Sequence, residues 1–237
     1  ILEPPDLWEK YLEPSFRDRA IRIRTDKEGL EYFEFNNKPS RLCHPGFPGI
    51  LGAMGEPDIV PGPERTFVGG APFGSMDPKE RITRIEGEGL SKVILYPTVS
   101  LLWESEVEDP ELSAAYCRAY NRWIVDFCSE SGGRLIPIAH LSGSDPQEAA
   151  KELERAVKDG CKGAFFAPFT WTKKSHGHPD YDAVWSTAQD LDIPIAIHPT
   201  FEPARFTHLT RFEELTPTEP IEFNWYLDVL VSQGMQR

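Results

Sequence analysis

The stretch Asp192-Ile193-Pro194-Ile195-Ala196-Ile197-His198-Pro199 decides how this chain is read. It is a short, wholly apolar strand pattern that ends on a histidine and is stopped at once by proline. Strands without polar alternation belong in parallel sheets whose faces are covered by helices. In such folds ligands bind at the carboxyl ends of the strands. A histidine held there on rigid backbone is a candidate metal ligand or acid/base.

The segments before it repeat one theme. Asp77-Pro78-Lys79-Glu80 places a capping Asp before a Pro at the first helical position, which starts a helix running to about Gly89. Lys92 to Pro97 follows as a buried strand. Asp109-Pro110-Glu111 opens a second helix, with Leu112, Ala115, Tyr116, Ala119, Tyr120, Trp123, Ile124 and Phe127 at helical spacing. Leu135 to His140 is the next strand. Asp145-Pro146-Gln147-Glu148 begins a third helix, ended by Gly160, and Gly163 to Ala167 is a strand cut by Pro168. Asp180 to Leu191 reads as a fourth helix, and Pro220 to Gly234 as a fifth. Alternating strands and helices predict an α/β fold with a parallel sheet.

The first 76 residues differ. Ile21 to Arg24 and Tyr32 to Phe35 alternate around Asp26-Lys27-Glu28-Gly29, a β-hairpin signal. Residues 39 to 74 are rich in Pro and Gly and read as a long irregular loop, which in a compact domain is usually a lid or binding element. Glu31, Glu34, Glu86 and Glu88 read as solvated faces.

Composition narrows the function. The formal charge is −13 and 40% of residues are hydrophobic. Such acidity argues against nucleic acid or an anionic membrane as partner, and no apolar run is long enough for a membrane helix. A small-molecule substrate remains the expected partner, with a homodimer left open. None of Cys43, Cys117, Cys128 and Cys161 forms a C-x-x-C pair. Cys117 and Cys128 on one helix lie about 16 Å apart, too far for a disulfide. Reduced thiols in a cytoplasmic protein is the expectation. No nucleotide-binding glycine motif and no serine-nucleophile elbow occurs.

Several of these segments together resemble the amidohydrolase-related family, typified by aminocarboxymuconate-semialdehyde decarboxylase. They are Ile1 to Trp8, Arg134 to Ala139, Asp145 through Gly163, His178-Pro179-Asp180-Tyr181-Asp182 and Ile197-His198-Pro199. The resemblance implies a TIM (β/α)8 barrel with one divalent metal at its mouth, here incomplete at about five of eight βα units. Residues 1–237 would form one partial barrel domain, with 13–76 an inserted hairpin and lid-like loop after the first strand. The family's ligands are an acid or His-x-His pair ending the first strand, a His ending the fifth, sometimes a His after the sixth, and an Asp ending the eighth. Only the fifth-strand His maps, to His198. Both the first-strand pair and the general-base Asp are expected outside residues 1–237.

The resemblance thus implies a metal-dependent hydrolase, in which metal-activated water attacks a C–N or C–O bond of a small organic substrate. The alternative is a non-oxidative decarboxylase of an aromatic or unsaturated acid, and a second is a non-catalytic, degenerate barrel. Zinc is the expected metal, with manganese as alternative, since both accept a neutral imidazole. His140 also ends a strand and is expected to line or support the site, as are Trp171, His176, His178 and Glu3. His176-Gly177-His178 copies a metal-binding pair in spelling but lies in a loop. His44 and His208 are expected to face solvent.

Overall fold

The structure, a computed structural model, describes residues 1–53, 56–57 and 59–203. The helix expected from Pro220 to Gly234 and His208 lie outside the described residues. The chain opens with a short helix α1 (Leu7–Tyr11) and a 3-10 turn (Pro14–Arg19). Strands β1 (Arg22–Thr25) and β2 (Glu31–Phe35) pair antiparallel as the expected hairpin, with Arg22 opposite Glu34. At its turn, Asp26 Oδ1 accepts from the amides of Glu28 and Leu30, each at 2.9 Å. A third strand, β3 (Lys38–Pro39), was not anticipated. Asn36 and Asn37 turn the chain into it with φ of 51° and 58°, the left-handed pair that a two-residue hairpin turn needs.

The segment from 39 to 74 is less irregular than its composition predicts. It contains helix α2 (Phe47–Gly52). A Cβ added at Gly52 would run into the Phe67 carbonyl oxygen, so glycine here permits a close approach of two backbones. Glu31 is not part of a solvated face: its Oε2 accepts from the Phe67 amide at 2.6 Å and ties the segment to the hairpin.

From residue 77 the alternation holds. Helix α3 (Pro78–Gly87) leads to strand β4 (Val93–Leu95) and the short helix α4 (Ser100–Trp103). Helix α5 (Pro110–Ser129) leads to β5 (Leu135–Pro137) and β6 (Ala139–Leu141). Helix α6 (Pro146–Asp159), strand β7 (Ala164–Phe166), helix α7 (Asp182–Asp190) and strand β8 (Ile195–Ile197) complete the series. Asp77, Asp109 and Asp145 each accept two amides of the first helical turn and each precedes a proline. The side chain thus satisfies donors that the helix leaves orphaned, and the ring fixes the first φ.

All sheet pairings here are parallel and follow chain order. β4 pairs with β5, and β6 with β7 and then β8. β5 and β6 are one strand interrupted at Ile138, beside Pro137, which has no amide hydrogen to donate. Leu95, Leu135, Leu141 and Phe166 pack into the main core with Tyr116, Tyr120, Ile124 and Leu153 of α5 and α6. The expectation of fully buried strands fails at Ile94 and Ile197, which are 58% and 45% exposed. β4 and β8 are the outer strands of the described pairings, so each has a neighbour on one side only. Among the described residues no helix is long and apolar enough to cross a membrane. All four cysteines are free and buried. Burial pushes the thiols of Cys43, Cys128 and Cys161 up to about 12, which keeps them unreactive.

Asp145→Ala removes the acceptor for the Gln147 and Glu148 amides. It should lower stability by about 1 kcal/mol, read as a shifted urea midpoint at constant slope.

Candidate active site

His198 is the first residue past β8. Its amide donates to the Phe166 carbonyl at 2.9 Å, so the ladder reaches it and fixes its backbone. Its Nδ1 lies 2.8 Å from the Pro199 carbonyl oxygen. A carbonyl can only accept, so Nδ1 carries the hydrogen and Nε2 the lone pair. That is the tautomer in which an imidazole serves as ligand or base. Its ring centroid lies 5.0 Å from Tyr96 and 5.7 Å from Phe165. Tyr96 follows β4, and Phe165 is central in β7, so these rings share one face of the sheet.

His140 lies on that face as well, stacked on Phe165 at 4.4 Å and 13°. It is wholly buried. Its Nε2 meets Glu104 Oε2 at 2.9 Å, while Nδ1 is buried without a hydrogen-bond partner. Nε2–H therefore donates to the carboxylate, and the bare Nδ1 needs no proton. The backbone of His140 is held from the side by Asn121 on α5. Asn121 Oδ1 accepts the His140 amide at 2.7 Å, and its Nδ2 donates to the His140 carbonyl at 3.0 Å and to Glu152 Oε1 at 2.6 Å. A side-chain amide here takes the place of a neighbouring strand, because β4 pairs with β5 and not with β6.

Glu104 closes helix α4, and its carbonyl accepts Trp171 Nε1 at 2.9 Å. Trp171, half-buried, packs edge-on against Phe169. The opposite end of the same loop is held by Glu3, which is 1% exposed. Its Oε2 accepts the amides of Thr98 and Val99 at 3.0 and 2.9 Å, and its Oε1 that of Ser100 at 2.8 Å. Glu3 therefore acts on backbone, and its place is that of a clamp on the loop after β4.

The two histidines of His176-Gly177-His178 are engaged separately. The His176 ring packs on Phe166 and Tyr181, at 5.4 and 5.7 Å, and its carbonyl accepts Trp185 Nε1 at 2.6 Å. Phe166 belongs to the helix-side core, so His176 lies behind the sheet from His198. Burial drives its pKa down to about 4. His178 accepts the Asp180 amide on Nδ1 at 3.2 Å, capping the 3-10 turn Pro179–Tyr181. His44 is exposed. Among the described residues, no three His, Cys, Asp or Glu side chains converge on a position that could hold a metal. Glu104, Asn121, Tyr96 and Phe165 escaped the sequence reading. Only the strand-end position of Tyr96, matching that of His198, could have signalled one of them.

Known proteins bear on this geometry in three ways. The amidohydrolase family profile matches residues 95–216, just over half of the chain. The chain is similar to a decarboxylase, orsB, of Emericella nidulans, at 38% identity over 96 residues, covering 39% of this chain and 29% of that protein. It is similar to the gamma-resorcylate decarboxylase of Rhizobium radiobacter at 26% identity, covering 50% and 38% respectively. The chain thus spans about a third of the length of these relatives. In fold it is similar to the crystal structure of an amidohydrolase from Mycobacterium avium subsp. paratuberculosis K-10. That likeness has a TM-score of 0.66 at 19% identity and covers 84% of this chain and 56% of that one.

Two outcomes are expected. Glu3→Ala strands three backbone donors, two of them in bonds wholly buried, and should cost about 3 kcal/mol or more in a urea titration. The His176 ring, pushed by burial from the ordinary 6.5 down to about 4, favours its neutral form in the folded state. The unfolded chain binds the proton first as pH falls, so stability is full above about pH 6.5 and drains toward pH 4, by at most about 3 kcal/mol. His176→Phe should flatten that part of the pH–stability curve.

Proposed function

This chain belongs to the amidohydrolase family, and on that premise we propose that it acts as a non-oxidative, metal-dependent decarboxylase of an aromatic carboxylic acid. The observation that carries the reading is the state of His198. It stands at a strand terminus, Nδ1 is tied to the Pro199 carbonyl, Nε2 is left as the donor atom, and Tyr96 and Phe165 flank the ring. Hydrolysis is the leading expectation of the resemblance, but both curated relatives named above are decarboxylases, and one takes its name from an aromatic acid. They favour the alternative. A degenerate, non-catalytic barrel finds no support in relatives of this kind.

The finer architecture belongs to the same proposal: an incomplete TIM barrel, one domain over 1–237, with 13–76 as an inserted hairpin and lid-like loop. Phe47 of that insert meets Phe201, just past β8, with ring centroids 6.1 Å apart. This contact supports a lid over the carboxyl ends of the strands.

The resemblance also implies one divalent metal, zinc or manganese, which would polarise a substrate oxygen. His198 fits as one ligand by the chemistry of its Nε2. The described residues do not bring a set of three donors together, so they do not complete a site. The chain's own residues bind and orient. Tyr96, half-buried, offers an aromatic face to a planar acid, and the wholly buried Phe165 backs it from the sheet. Glu3 and His140 fix the two ends of the loop from Thr98 to Glu104, and Trp171, tied to that loop, walls the mouth. Glu3, His140 and Trp171 thus serve position, and His176 and His178 have no part in the reading.

The test is an assay of the product of the whole reading frame with 2,6-dihydroxybenzoate, following loss of the acid and gain of resorcinol by chromatography. Turnover is expected, and His198→Ala should reduce it by on the order of 100-fold or more while the far-UV spectrum is unchanged. A fully active variant, or a protein that cleaves only amides or esters, overturns the reading.

A further inference from the structure

Asn121 does more than stand in for a strand neighbour of β6. It is buried on α5, a helix that packs behind the sheet. Two of its side-chain bonds hold the His140 peptide, Oδ1 to the amide at 2.7 Å and Nδ2 to the carbonyl at 3.0 Å, and a third runs from Nδ2 to Glu152 Oε1 at 2.6 Å. Glu152, buried on α6, is held in turn by the partly exposed Arg155, whose Nε meets Oε2 at 2.7 Å and whose Nη2 meets Oε1 at 2.5 Å. Beyond His140 the series continues through Nε2 to Glu104, and from the Glu104 carbonyl to Trp171 Nε1, at 2.9 Å each. A connected line of residues therefore joins the outer side of α6 to the wall of the mouth.

The donor and acceptor roles along this line admit one arrangement. A guanidinium only donates and an ionised carboxylate only accepts, so Glu152 receives both Arg155 and Asn121. That sends Nδ2 toward Glu152 and leaves Oδ1 for the His140 amide, the same orientation that the His140 peptide requires by itself. Two separate constraints thus agree on which way the Asn121 amide points. Hydrogen bonds of this kind, away from water, are strong, and the loss of one member leaves the others buried and unmet. The His140 ring is packed as well, 5.3 Å from Trp103 of α4 and stacked on Phe165 of β7 at 4.4 Å. A displacement of the His140 backbone is therefore passed to Glu104 and Trp171 by hydrogen bonds and to Phe165 by ring contact.

We propose that Asn121 is a positioning residue for the mouth: from behind the sheet, through His140 and Glu104, it sets the place of Trp171 and of the aromatic face beside His198. None of its side-chain hydrogen bonds reaches Trp171, Phe165 or His198 directly. A core asparagine that only stabilised the fold would, when replaced, lower stability and leave the mouth unmoved. The inference about position holds whatever reaction the mouth carries out, and its consequence for turnover rests on the decarboxylase reading.

Nuclear magnetic resonance of the product of the whole reading frame, labelled with nitrogen-15 at its tryptophan indoles, tests it. The Trp171 signal is identified by its loss in Trp171→Phe. Asn121→Leu, close in shape but without the amide, should shift that signal and speed exchange of the Trp171 indole hydrogen by about tenfold or more. Asp77→Ala removes the cap of α3, outside this line, and should do neither while still lowering stability. Asn121→Asp sets a second carboxylate against Glu152 and should act like Asn121→Leu. Adding Glu152→Gln to it returns a donor and an acceptor to that contact and should restore part of the wild-type signal. Should Asn121→Leu fail to fold, Arg155→Gln, at the partly exposed end, carries the test with a smaller shift of the same signal. In the decarboxylation assay Asn121→Leu should raise KM for 2,6-dihydroxybenzoate several-fold at nearly constant kcat, since Trp171 walls the mouth and does no chemistry. A Trp171 signal and exchange rate at wild-type values in the folded variant, an equal response to Asp77→Ala, or an unaltered KM in an active variant would each overturn the inference. A wild-type protein without decarboxylase activity fails the earlier reading alone, because the indole signal still reports where Trp171 is held.

Discussion

The carboxylate of Glu3 is the constraint on which the mouth of this fold depends. A buried carboxylate persists only if its lone pairs are met by donors, and Glu3 meets three consecutive amides at the start of the loop after β4. Those amides cannot bond to each other and face the same direction only when the backbone turns, so the charge and the turn require one another. The far end of the loop ends in Glu104, whose carboxylate is met by His140 and whose carbonyl by Trp171. Glu3, His140 and Trp171, from three separate parts of the chain, thereby hold the seven residues from Thr98 to Glu104 in place. His140, 5.3 Å from Trp103 of that segment and stacked on Phe165, joins it to the aromatic face of Tyr96, Phe165 and His198.

Much of the fold was legible because its signals are local. Asp before Pro encodes a helix start within four residues, and three such starts stand where the sequence put them. Short apolar runs gave the parallel strands, and the position of His198 followed from the end of one such run. Strand β3 and helix α2 were missed for different reasons. Asn36-Asn37 is a weaker turn signal than a glycine pair. The glycines of α2 lower helix propensity, yet they are what lets the helix backbone lie against Phe67.

The supporting residues were illegible because nothing local marks them. Glu104 is one of many acidic residues, and its role exists only through His140, 36 positions away. Asn121 sits on a helix stripe otherwise read as apolar, and what it satisfies is the absence of a strand beside β6. Glu3 was read near the mouth, but its spelling gave no hint that backbone would consume both oxygens. His176-Gly177-His178 shows the converse. The spelling invites a metal, while the fold turns one ring behind the sheet and gives the other to a helix cap.

Parallel strands paired in chain order have a kinetic meaning. Each βα unit finds its sheet partner in the unit just made, so loops closed during assembly of residues 93–197 are short, and the entropy of closing them is small. Contacts from Glu3 to the loop after β4 span 95 to 97 residues, as does the bond from Tyr116 to the Arg19 carbonyl. By the usual dependence of folding speed on sequence separation, the sheet is the part that can condense early. Docking of the amino-terminal residues then comes as a late event, and the opening of the mouth keeps its final shape only once that event is complete.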